Sequence, residues 1–159
     1  MIAGIKRWIT GNPRVVFLVV AGAVLLGLFL GVVAPLFATS GNAMADLSGV
    51  IPASAPAGRQ VEIDVSVDNT GFSVVGQLCV SAVVQGPLTP VNAIFQNVDK
   101  EPFVNGTACG GELTSQSSAP VQLFFLAGAA GSAQLVLAPM DGKRTIGAAL
   151  SGTVSVGGP

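Results

Sequence analysis

Val61-Glu62-Ile63-Asp64-Val65-Ser66-Val67-Asp68 alternates a β-branched aliphatic residue with a polar or charged one. Successive side chains of a strand point to opposite faces, so a period of two predicts a strand with one face on a core and the other in water. Asn69-Thr70-Gly71 follows and ends it, because these residues tolerate positive φ. Working towards the C-terminus, further strands are predicted at Phe72–Val75, Leu78–Gln85 and Val91–Val98, the last two separated by Gly86-Pro87-Leu88-Thr89-Pro90. Asp99–Gln116 reads as loop, punctuated by Pro102, Gly106, Gly110 and Gly111. Val121–Leu126 is a continuous apolar run and predicts a strand buried on both faces. Ala133–Ala138 and Thr145–Val156 follow, with Asp141-Gly142 as a hairpin turn between them. Working towards the N-terminus, Leu47–Gly58 contains Pro52 and Pro56 and reads as an extended edge segment, reached through a small polar tether, Thr39–Ala45.

Short strands without helical periodicity between them predict an antiparallel β-sandwich over residues 59–159, with 39–58 as tether and edge segment. The stretch from Ala55 to Gly71, a Pro…Gly lead-in followed by an alternating strand and Asn-Thr-Gly, resembles the opening of bacterial immunoglobulin-like domains, including the cell-adhesion-related domains. The resemblance implies an immunoglobulin-like sandwich. The chain departs from antibody-type domains in having no Trp after position 8 and in cysteines too close together for a link between the second and sixth strands.

Ahead of the β domain lies Val15–Ala34, twenty residues without a charge, with Pro35–Ala38 as the exit. At about 1.5 Å per residue this run matches a hydrocarbon core roughly 30 Å thick, and a helix satisfies its own backbone there. A transmembrane helix is therefore expected over residues 15–38, after a cytoplasmic stub at 1–14. Two readings of the segment stay open, a retained anchor and a signal peptide cleaved after Ala45. The length of the run favours retention, since a cleaved apolar core usually holds about 7 to 15 residues. Lys6, Arg7 and Arg14 precede the run and no basic residue follows it until Arg59, so the positive-inside rule exports the β domain. Trp8 suits the membrane–water boundary. Ala23, Gly27 and Gly31 form a stripe of small residues, the last two a G-x-x-x-G match, and predict a face packed on a partner helix.

From Asp46 onward the chain carries four basic residues against eight acidic ones. A nucleic-acid interface needs a basic stripe, which such a balance excludes. Cys79 and Cys109, in an exported domain, predict one disulfide.

The chain contains no histidine, which removes His-ligated haem and copper, the usual catalytic zinc sites and Ser–His or Cys–His nucleophilic pairs. Two cysteines cannot hold a standard iron–sulfur cluster, and no glycine-rich phosphate loop is present. Asp64, Asp68 and Asn69 form a candidate calcium group, although a solvated strand face accounts for them better. Lys100 and Lys143 are candidate partners of a nucleophilic serine, yet read as solvated charges. Asn105-Gly106-Thr107 fits a glycosylation acceptor and also a turn. No active site and no cofactor are expected. The sequence points first to a non-catalytic accessory subunit of a larger membrane complex, whose partners are other integral membrane subunits and the lipid bilayer. The alternative is a stand-alone tethered or secreted immunoglobulin-like adhesion or ligand-binding module.

Overall fold

The computed structural model describes residues 43–157, which form an all-β unit. The expected membrane helix, its packing stripe at Ala23, Gly27 and Gly31, and the cytoplasmic stub lie outside the described residues. Among the described residues no helix is long and apolar enough to cross a membrane.

Eleven strands are present among the described residues: β1 (Ala45–Gly49), β2 (Ser54–Pro56), β3 (Gln60–Asn69), β4 (Leu78–Gln85), β5 (Leu88–Phe95), β6 (Asp99–Pro102), β7 (Thr107–Cys109), β8 (Ser118–Ala127), β9 (Gly131–Asp141), β10 (Arg144–Thr145) and β11 (Leu150–Gly157). One sheet runs β1-β3-β8-β5-β6 and the other β2-β11-β9-β4-β7, with β10 hairpinned onto β9. The first four strands of the former and β11-β9-β4 of the latter reproduce the A-B-E-D and G-F-C order of immunoglobulin-like sandwiches. Strand β2 adds a parallel pairing to β11, while the other pairings are antiparallel.

The alternating stretch is an interior strand of its sheet. Strand β3 pairs with β1 on one side and β8 on the other, and Val61, Ile63, Val65 and Val67 point into the core while Glu62 and Asp64 face water. Facing them across the sandwich are Leu78 and Val80 of β4, Leu135 and Leu137 of β9, and Val154 and Val156 of β11. Phe125 of β8 is fully buried, with Phe103 tilted against it at a centroid distance of 6.0 Å. The register makes burial decisive: a slip of one residue in β3 would turn four aliphatic side chains out and four polar ones in.

Three sequence expectations need correction. The run at Val121–Leu126 is buried on one face only, with Val121, Leu123 and Phe125 inward and Leu126 exposed, because β8 lies inside an open sheet whose second face is uncovered. The stretch Phe72–Val75 is not a strand; only Val75 bridges, to Leu113, after a turn that Asn69 organises. The segment Asp99–Gln116 holds β6 and β7, each of which finds hydrogen-bonding partners at the edge of a different sheet. The edge segment around Pro52 and Pro56 contributes an edge strand to each sheet, and Ala43 and Ala45 are already part of the core. Gly86 turns the chain from one sheet to the other at φ +120°, where a Cβ would meet the Ser132 carbonyl oxygen at 2.5 Å and Ala133 Cα at 2.8 Å.

Candidate functional site

Cys79 and Cys109 are bonded and stand directly opposite each other in the β4–β7 pairing, with Cα atoms 4.0 Å apart. The bond joins neighbouring strands of one sheet. It fastens the three-residue edge strand β7 to β4, and so holds an element where the sequence alone suggests a loose loop.

The candidate calcium group is not assembled. Asp64 and Asp68 lie on the outer face of β3, whereas Asn69, one residue on, points the other way and is 2% exposed. Its Nδ2 donates to the carbonyls of Ser73 (2.9 Å), Thr114 (2.9 Å) and Leu113 (3.4 Å), and its Oδ1 accepts from the Gly71 N–H (3.1 Å). Every polar atom of that amide is engaged, so it ties two loops together and offers nothing to an ion. Asp68 accepts instead from the Ser66 hydroxyl at 3.1 Å. Among the described residues no group of three or more His, Cys, Asp or Glu side chains converges.

Lys100 sits on edge strand β6, and Lys143 at the tip of the β9–β10 hairpin beside Arg144, which pairs with Asp141 at 3.8 Å. Asn105 and Gly106 have φ of 52° and 78°, and Val104 and Thr107 exchange two backbone hydrogen bonds across them. Positive φ at both central residues is the signature of a type I′ hairpin turn, which explains Asn-Gly at this place.

Read across the strands, the two outer faces differ sharply. The β1-β3-β8-β5-β6 sheet presents Asp46, Glu62, Asp64 and Asp68, with Asp46 directly opposite Asp68, and Gln122 donates to the Glu62 carboxylate at 2.9 Å. The outer face of the other sheet carries no charge. Its side chains are Ser81, Val83 and Gln85 of β4, then Ser132, Gln134, Val136 and Ala138 of β9, then Ser151, Thr153 and Ser155 of β11. Val83 and Val136 are direct partners at its centre, 56% and 38% exposed. Sequence reading missed this division, because charge sorts by sheet and strand-to-sheet assignment is invisible until the pairing is known.

Two concavities lie at one end of the sandwich, and a small one of about 210 Å³ lies on the uncharged sheet between Gln134, Val136, Ser151 and Thr153. A cleft of about 530 Å³ is lined by Gln96, Glu112, Thr114, Ser117 and neighbours, and one of about 320 Å³ by Asp68, Asn69, Gln116 and Ser118 among others. Gln96 and Gln116 hold left-handed backbones there, at φ 52° and 55°. A third cleft, about 370 Å³, lies beside the disulfide between Val104, Thr107, Cys109 and Met140.

No protein-family model and no curated protein sequence matches the chain. Solved structures do match in shape. The chain is similar to AvmM, described as catalysing macrocyclization in alchivemycin A biosynthesis, at 15% identity and a TM-score of 0.51, over 74% of this chain and 90% of that one. It is also similar to a CARDB domain from Pyrococcus furiosus (14% identity, TM-score 0.47, 73% of this chain and 94% of that one). A cohesin module of a Clostridium perfringens family 33 glycoside hydrolase aligns at 12% identity and TM-score 0.41, over 74% of this chain and 100% of that one. At such identities the likeness concerns the fold alone. The fold is an immunoglobulin-like β-sandwich.

Proposed function

We propose that this chain is a non-catalytic accessory subunit of a larger membrane assembly, held by one retained helix at residues 15–38, with its immunoglobulin-like domain exported and in contact with partner subunits. The observation that carries the proposal is the uncharged outer face of the β2-β11-β9-β4-β7 sheet. Protein interfaces are depleted of charge at their centres, and the wholly polar-neutral surface around Val83 and Val136 meets that condition. The opposite face, with four carboxylates, would remain in water.

Replacing Val83 and Val136 together by Lys places two like charges side by side at the middle of the face. Both side chains are solvent-accessible in the domain, so folding should persist while affinity for a partner falls by several kcal/mol. Mild detergent extraction followed by native mass measurement should find the parent in a complex and the double variant alone. A variant that remains in the complex would show that this face is not the contact.

The second reading, a stand-alone adhesion or ligand-binding module, is favoured by the polar clefts between Gln96, Thr114 and Gln116. A native mass equal to that of one chain for the extracted parent would select it.

A further inference from the structure

We infer that Asn105-Gly106, at the tip of the hairpin leading into β7, is a site of spontaneous deamidation, and that its isoaspartate product releases the edge of β4 at Ala82. The inference stands apart from the membrane reading and concerns chemistry internal to the β domain.

The reaction needs a free backbone N–H after the asparagine, a side-chain amide that can turn towards it, and water. The sequence holds one Asn-Gly pair, and glycine carries no Cβ to obstruct an approach to its nitrogen. Asn105 is exposed. The bonds that close its type I′ turn belong to Val104 and Thr107, at 2.8 and 3.1 Å, and leave the Gly106 N–H outside them. Among the described residues neither that N–H nor the Asn105 amide has a hydrogen-bond partner.

The turn after β9 supplies the contrast. Asp141-Gly142 could close the same five-membered ring, yet the Gly142 N–H donates to the Gln77 carbonyl at 2.9 Å and the Asp141 carboxylate accepts from the Gln77 N–H at 3.1 Å. Arg144 lies 3.8 Å from the other oxygen of that carboxylate. Both reacting groups are held at 141–142, and neither is held at 105–106. The other described asparagines lack a following glycine: Asn69 and Asn92 are buried, and Asn97 precedes the β-branched Val98.

The chemistry balances as a hydrolysis. The Gly106 nitrogen gives its proton to water and bonds to Asn105 Cγ, the Cγ–Nδ2 bond breaks, and ammonia leaves with a proton returned to it. Water then opens the resulting succinimide. Addition at Cγ restores the ordinary main chain with aspartate. Addition at the Asn105 main-chain carbonyl gives isoaspartate, in which the main chain runs through Cβ and Cγ. Either product carries a carboxylate, ionised at neutral pH.

The register sets the consequence. Thr107 pairs with Ser81, and the Gly106 carbonyl accepts from the Ala82 N–H at 2.7 Å, so the hairpin covers the edge of β4 as far as Ala82. A two-residue turn has no slack. One extra main-chain carbon parts Val104 from Thr107 and carries the Gly106 carbonyl off Ala82. The disulfide keeps Cys109 against Cys79, so the opening stops short of freeing all of β7. The new carboxylate stands at the cleft that Asn105 lines together with Lys143, a charge of opposite sign.

The test incubates the full chain in detergent micelles at mildly alkaline pH, both folded and in guanidinium, in heavy-oxygen water that marks each hydrolysed position. Peptide mapping with electron-transfer fragmentation separates aspartate from isoaspartate. Position 105 should convert mainly to isoaspartate, at a folded rate within about fivefold of the unfolded one, whereas folding should slow isomerisation at Asp141 by about tenfold or more. Hydrogen exchange should then be faster at the Ala82 amide of the converted chain and unchanged at Val80. Conversion of position 105 only in guanidinium would show that the turn protects it, and would overturn the site. Isoaspartate at 105 with Ala82 exchange unchanged would overturn the release of the β4 edge. A glycan found on Asn105 in chain purified from its own membranes would cap the amide, and that outcome also overturns the proposal.

Discussion

Asn69 does more for this domain than its place at the end of a strand would suggest. It is one of two buried polar side chains among the described residues, with Asn92, and it is the centre of a small network. Its backbone N–H bonds to the Ser117 carbonyl while its amide bridges the loop after β3 to the segment before β8. An unpaired buried donor or acceptor costs about 1 to 3 kcal/mol. Asn69→Ala removes the amide that joins the two loops, while the Leu113 carbonyl keeps the Val75 N–H, the Thr114 carbonyl keeps the Ser117 hydroxyl and the Gly71 N–H keeps the Met44 carbonyl; the domain should lose about 1 to 3 kcal/mol in urea unfolding followed by circular dichroism. Asn69→Asp should be worse, because it aims a carboxylate at carbonyl oxygens that need a donor. An Asp variant as stable as the parent would mean that water replaces the amide. The sequence marks Asn69 as a turn residue, and that much is legible from Asn-Thr-Gly. What could not be read is its burial, since turn chemistry is local while the Thr114 carbonyl comes from 45 residues away.

Among the elements, the strands with an alternating or apolar pattern and the extended edge segment around Pro52 and Pro56 were readable, whereas the edge strands β6 and β7 were not. The period of two at Val61–Val67 gives β3 nearly to its ends, because alternation reports the burial of one face directly. Strands β6 and β7 escaped because Asp99-Lys100-Glu101 and Asn105-Gly106 carry loop chemistry, and pairing with β5 and β4 overrides it. Likewise Phe124 and Leu126 are apolar on a face that water reaches, so composition could not reveal which side of β8 is inward. The disulfide pairing was legible from count and compartment, but its position beside a three-residue edge strand was not. That position gives a definite expectation. The bond closes a loop of 30 residues, which on the chain-entropy account contributes about 3 to 4 kcal/mol. Replacing Cys79 and Cys109 together by Ser should lower stability by that amount and release β7. The β4 edge, Leu78–Gln85, contains no charge or proline, and such an edge is a template for strand addition. Concentration-dependent association of the double-serine chain, measured by light scattering, should accompany the lost stability. A monomeric variant of near-parent stability would show that β7 stays in place without the bond.

At the scale of the whole molecule, the orientation proposed for the chain and the state of its cysteines make one joint expectation. On the proposed reading, three basic residues ahead of the apolar segment, with none after it until Arg59, leave residues 1–14 in the cytoplasm by the positive-inside rule. The Cys79–Cys109 bond would then lie in an oxidising compartment, where such bonds persist. Both are tested in one experiment on intact spheroplasts. A bulky, membrane-impermeant maleimide should leave the chain unshifted on a gel when added alone, because no thiol is free. Addition of a membrane-impermeant phosphine reductant should convert the disulfide to two thiols, and the same maleimide should then add twice without lysis. Replacing Lys6, Arg7 and Arg14 by Asn while placing three Lys after Ala38 should reverse the response: labelling would require lysis and would need no reductant. A parent chain labelled only after lysis would overturn the orientation.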